Sequence, residues 1–84
     1  MSNSQILIVD DDSQLREAIV DTLMLTGYVC LEASGGEEAL DILSKKKVDM
    51  VISDIQMGAM DGHNLLNAIH ERLPNMPVLL LTAY

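Results

Sequence analysis

With 84 residues, the chain holds one small domain at most, and an apolar share of 49% sets it apart from disordered polypeptides. Its net charge of −8 disfavours direct contact with nucleic acid or an anionic membrane. No apolar run approaches the ~20 residues that a membrane helix needs. The first apolar run, Ile6-Leu7-Ile8-Val9, reads as a buried strand and closes on three acids, Asp10-Asp11-Asp12. Asp12 or Ser13 then caps a helix whose spacing puts Leu15, Ala18, Ile19, Thr22 and Leu23 on one face. Gly27 supplies the left-handed residue that ends it. Tyr28 to Ala33 forms a second strand and Ser34-Gly35-Gly36 a turn. Glu37 to about Ser44 is a second helix, packing through Ala39, Leu40 and Leu43, with acids in its first turn and lysines at its end. Asp49 to Ser53 is the third strand. A loop from Asp54 to Gly62 leads into a third helix, with Leu65, Leu66, Ile69 and Leu73 inward and Asp61 as its cap. Gly62 lets that helix pack closely. Pro74 stops the helix, and Val78 to Thr82 is a last strand.

The order βαβαβαβ demands an α/β fold, a parallel sheet with right-handed crossovers and helices on both faces. Parallel strands deliver their C-terminal residues to one edge, so Asp10-Asp11 and Asp54 are expected to meet there. Close carboxylates repel one another unless a proton or a cation sits between them. Mg²⁺ suits such a set, because it takes one or two carboxylates and keeps several waters. Asp11 and Asp54 fit as direct ligands, with Asp10 reaching the ion directly or through water. An oxygen of Asp54 left free is a nucleophile that can attack phosphorus. Thr82, at the end of the neighbouring strand, offers a hydroxyl to a phosphoryl oxygen. His63 and His70 lie two helical turns apart, ~10.5 Å, and cannot share a metal. The unpartnered Cys30 excludes an internal disulfide, and the first five residues lack the start of a secretory signal. A cytoplasmic protein is expected.

Four segments carry a resemblance: Ile6 to Arg16, Ser53-Asp54-Ile55-Gln56-Met57, Met60-Asp61-Gly62 and Pro77 to Ala83. In this order and at these separations, the chain resembles the receiver domains of two-component response regulators, of the nitrogen-regulation (NtrC-like) type. The resemblance implies a flavodoxin-like fold with strand order 2-1-3-4-5 and a site at the carboxyl edge. It implies that Asp54 accepts a phosphoryl group from a sensor histidine kinase and that Asp10 and Asp11 are the acidic pair. The backbone carbonyl of Gln56 is then the third protein ligand to Mg²⁺, Thr82 the switch hydroxyl, and Ala83 the small residue beside the phosphoryl group.

The chain departs from this family in two respects. Receivers run to ~120 residues, within the usual range for a domain. The remaining third carries a lysine that pairs with the phosphoryl group and an aromatic switch residue. Residues 1–84 are thus expected to be a partial receiver, without the final strand and last two helices, an output domain lying outside the chain. Lys45, Lys46 and Lys47 precede the third strand and lie ~16 Å from Asp54, too far to substitute. Gly58 follows Met57 where a proline is usual, which leaves that loop less preorganised.

Two other functions compete with the phosphorylated switch. One is a switch-incompetent fragment that works only as an interaction module, forming a homodimer through its exposed last strand. The other is a phosphohydrolase using an aspartyl phosphate. Gln56 stands where such enzymes carry a second acid after Asp54, which argues against turnover of external substrates.

Overall fold

In the computed structural model, which describes residues 4–55 and 61–81, seven elements alternate along the chain. They are β1 (Gln5–Val9), α1 (Ser13–Leu25), β2 (Val29–Ala33), α2 (Gly36–Lys45), β3 (Met50–Asp54), α3 (Gly62–Arg72) and β4 (Val78–Leu81). Each begins and ends within two residues of the expectation from sequence among the described residues. The strands pair in parallel in the order β2-β1-β3-β4. This is the flavodoxin-like arrangement, and the chain switches direction between β1 and β3, where such sheets open a crevice at their carboxyl ends.

The sheet order follows from apolar content. β1 and β3 are nearly all apolar and take the centre, covered on both faces. β2 carries the exposed Val29 and Glu32 and takes an edge. Successive residues of β1 alternate between two cores. Leu7 and Val9 join Ala33, Ala39, Val51, Leu65 and Ile69 under α2 and α3. Ile6 and Ile8 join Ile52 and Val20 under α1. This alternation is the period of two that a strand imposes on its side chains.

The helix ends follow local chemistry. Asp12 caps α1 by accepting from the N–H groups of Gln14 and Leu15, at 3.0 and 3.2 Å. Gly27 closes it with φ +95°, a conformation that strains any residue bearing a Cβ. Asp61 caps α3 through the N–H of Asn64 at 2.8 Å. His63 and His70 are both exposed, as expected, and the His70 ring nitrogen lies 2.9 Å from the Met76 carbonyl.

Two core expectations need correction. On α1 the buried residue is Val20, while Leu15 is 50% exposed and Ala18 and Thr22 are exposed too. The apolar stripe of α1 is only partly covered, because Ala18, Ile19, Thr22 and Leu23 line an open groove of about 290 Å³ against Ile52, Leu79 and Leu81. On α3, Leu65 and Ile69 are buried but Leu73 is exposed, since it has already left the helix as its C-cap.

Candidate metal centre

The strand register builds this site. Ile8 pairs with Ile52 and Val9 with Ser53. One step further along both strands stand Asp10 and Asp54, which share the parity of Ile8 and Ile52. Neighbouring strands lie ~4.8 Å apart, so the two carboxylates are side by side. Asp11 follows in the turn to α1. One carboxylate oxygen from each of Asp10, Asp11 and Asp54 lies within 4.8 Å of the other two. The convergence expected from sequence is present.

The three acids differ in environment. Asp10 is 2% exposed, Asp54 half-buried and Asp11 exposed. Burial pushes the Asp10 carboxyl above its ordinary pKa, and the neighbouring Asp54, Asp11 and Asp12 push the same way. The N–H of Asp12 opposes them, donating to Asp10 Oδ1 at 2.9 Å. One oxygen of Asp10 is therefore engaged by the backbone. Asp12 has its own carboxylate committed to the helix cap, so it is a structural member of the triplet.

A divalent ion fits this donor set. Oxygens at ~2.1 Å from Mg²⁺ in an octahedron stand ~2.9 Å apart along an edge and ~4.2 Å across, within the span of these carboxylates. Three hard anionic oxygens, one of them buried and penalised for its charge, match a hard cation and not a soft one. Gln56, Thr82 and Ala83, the other residues expected at the site, lie outside the described residues.

The backbone around Asp54 is packed tightly. Ile55 N–H donates to the Leu81 carbonyl at 3.1 Å, and Gly62 N–H donates to the Ile55 carbonyl at 2.6 Å. A Cβ on Gly62 would stand 2.5 Å from the Asp54 carbonyl oxygen and 2.8 Å from Ile55 Cα. Only glycine lets α3 start this close behind the acid, as its place at the helix start led us to expect. Arg16 is the neighbour to which sequence reasoning assigned no role. Its Nη1 donates to the Asp10 carbonyl at 2.5 Å and its Nε to Glu32 Oε1 at 3.0 Å. A lone basic residue one turn after a triple acid was the available signal.

Comparison with known proteins places this geometry. The model of the response regulator receiver domain matches residues 6–84. The chain is 47% identical over 81 residues to the response regulator protein FleR of Pseudomonas aeruginosa, an alignment covering 96% of this chain and 17% of FleR. It is 43% identical over 77 residues to the DNA-binding transcriptional regulator NtrC of Klebsiella pneumoniae, covering 92% of this chain and 16% of NtrC. Among solved structures, the response regulator TrrA of Thermotoga maritima, in complex with Mg²⁺-BeF, superposes with a TM-score of 0.93 at 36% identity. That match covers 96% of this chain and 70% of TrrA. The chain thus spans less than a fifth of the two sequence relatives.

Two substitutions test the geometry. Asp10→Asn keeps the acceptor for Asp12 N–H and removes a charge that burial disfavours. A carboxyl raised in the folded state binds more protons there than when unfolded, so its ionisation lowers stability as pH rises from its ordinary value of 3.8 through the raised one. The metal-free Asp10→Asn protein is expected to melt higher than wild type at neutral pH, with the gain shrinking towards pH 3; calorimetric scans across that range measure it. Gly62→Ala is expected to cost about 1–3 kcal/mol in a urea titration, the usual penalty for overpacking.

Proposed function

The chain belongs to the response regulator receiver family, and on that premise we propose that Asp54 accepts a phosphoryl group beside a Mg²⁺ ion held by Asp10, Asp11 and Asp54. The observation that carries this reading is the meeting of three carboxylate oxygens within 4.8 Å at the ends of β1 and β3. The Mg²⁺-BeF complex of TrrA supports magnesium as the ion. When bound, Mg²⁺ neutralises charge on the phosphoryl oxygens and holds the group in line for displacement.

The residues divide the work. Asp54 would give one oxygen to the ion and keep the other for phosphorus. That oxygen attacks a phosphohistidine of a sensor histidine kinase; the P–O bond forms as the P–N bond breaks. The product is an aspartyl phosphate, and the departing imidazole nitrogen takes up a proton. Asp10, oriented by Asp12 N–H, and Asp11 supply the remaining carboxylates. The Gln56 carbonyl as third ligand and the Thr82 hydroxyl as phosphoryl contact complete the proposed set. Resemblance to the family supports both.

In this reading the domain phosphorylates itself and does not turn over external substrates, because Gln56 replaces the second acid of a phosphohydrolase. It passes its state to an output domain, in the cytoplasm where its kinase acts. Residues 1–84 are part of one receiver domain, a reading supported by the 70% cover of TrrA. Among the described residues β4 pairs only with β3, and for these 84 residues taken alone we propose that a second copy adds to its outer edge. Light scattering over a concentration series is expected to show dimers of this 84-residue chain; a monomer throughout refutes the pairing. Acetyl phosphate with Mg²⁺ is expected to add the mass of one phosphoryl group. Asp54→Asn or chelation of the metal is expected to abolish the gain, and persistence of the added mass in Asp54→Asn contradicts the assignment.

A further inference from the structure

We infer that Arg16 is a positioning residue for the metal centre, holding the peptide that joins two of its ligands. This rests on the reading of Asp10, Asp11 and Asp54 as the Mg²⁺ site. The carbonyl that accepts from Arg16 Nη1 belongs to the Asp10–Asp11 peptide, so the orientation of that one plane sets where both carboxylates point. β1 ends at Val9, and the Asp10 N–H is taken by the Ala33 carbonyl at 3.1 Å. Asp10 Oδ1 is taken by Asp12 N–H. With Arg16 on the carbonyl, every polar group of Asp10 except its second carboxylate oxygen has a partner among the described residues.

The guanidinium suits this task where a lysine would not. Arg16 projects from the first turn of α1, its side chain 17% exposed, and must reach β1 and β2 at once. Nη1 meets the Asp10 carbonyl while Nε meets Glu32 Oε1, two bonds from one rigid planar group. An ammonium offers a single point and cannot hold both partners in fixed directions. Charge matters as well. An unneutralised cation beside the centre would oppose Mg²⁺, and Glu32 cancels it from β2. The Glu32 end is 47% exposed, so as an ion pair alone it adds little to stability. Its use is in aiming the arginine.

The competing role is a plain tie between α1 and β2. Such a tie lowers the melting temperature when broken but leaves the Mg²⁺ affinity of the folded chain unchanged. Titration calorimetry with MgCl₂ on the full chain, well below each melting temperature, separates the two roles for wild type, Asp54→Ala, Arg16→Lys, Arg16→Ala and Glu32→Gln. Wild type is expected to bind and Asp54→Ala to fail. Arg16→Lys and Arg16→Ala are expected to bind about tenfold more weakly, the scale typical for partners that orient a metal ligand. Glu32→Gln is expected to weaken binding in the same direction, since it frees the arginine and leaves its charge unopposed. If Arg16→Ala does not fold, Arg16→Lys decides. Folded Arg16→Lys with wild-type affinity overturns the positioning role while the metal site stands. Failure of wild type to bind Mg²⁺ overturns both.

Discussion

The parallel register between β1 and β3 is the constraint on which the remainder depends. It pairs Ile8 with Ile52 and Val9 with Ser53, and therefore carries Asp10 and Asp54 to the same height on the same side of the sheet. A slip of one residue would turn one of them to the opposite face. That slip is opposed by the two cores. Leu7, Val9 and Val51 are committed to one and Ile6, Ile8 and Ile52 to the other. The apolar burial that stabilises the sheet thus also forces two like charges together. Function here is a cost that the core sustains.

The surrounding backbone limits that cost without removing it. Asp12 N–H donates to Asp10, while the Asp12 carboxylate turns away to cap α1. On the other strand, Ser53 is fully buried and donates its hydroxyl to the Asp54 carbonyl at 2.9 Å. Gly62 lets the start of α3 close directly behind that carbonyl. Asp10 is held through its backbone and Oδ1 and Asp54 through its carbonyl, which leaves a carboxylate oxygen of each unassigned among the described residues. Such preorganisation is what a metal or phosphoryl site requires, because the ligands need not be reordered when the ion arrives. The arginine fork on the Asp10–Asp11 peptide belongs to the same scheme.

A receiver module of this kind recurs in proteins several times its size, as its small share of FleR and NtrC shows. Its local chemistry can be argued from these residues. An open groove lies between α1 and the strands β3 and β4. It explains why α1 carries more apolar surface than it buries.

Much of this protein was written into short stretches of its sequence. The apolar runs closed by acids marked β1 and β3, and their alternation with helical spacing determined the parallel sheet. Asp12, Asp61 and Gly27 announced the helix ends, because caps depend on residues a few positions apart. The meeting of Asp10, Asp11 and Asp54 was also legible, since parallel strands must share a carboxyl edge. Tertiary structure alone decided matters that turn on neighbours distant along the chain. Periodicity showed that α1 is amphipathic, but only its docking chose Val20 over Leu15 as the buried residue. The place of Arg16 one turn after three acids was a local signal, but its partners became fixed only when β1 brought a carbonyl, and β2 a glutamate, within reach of its two nitrogens. Local patterns encode which face is apolar; only the folded chain determines what lies opposite.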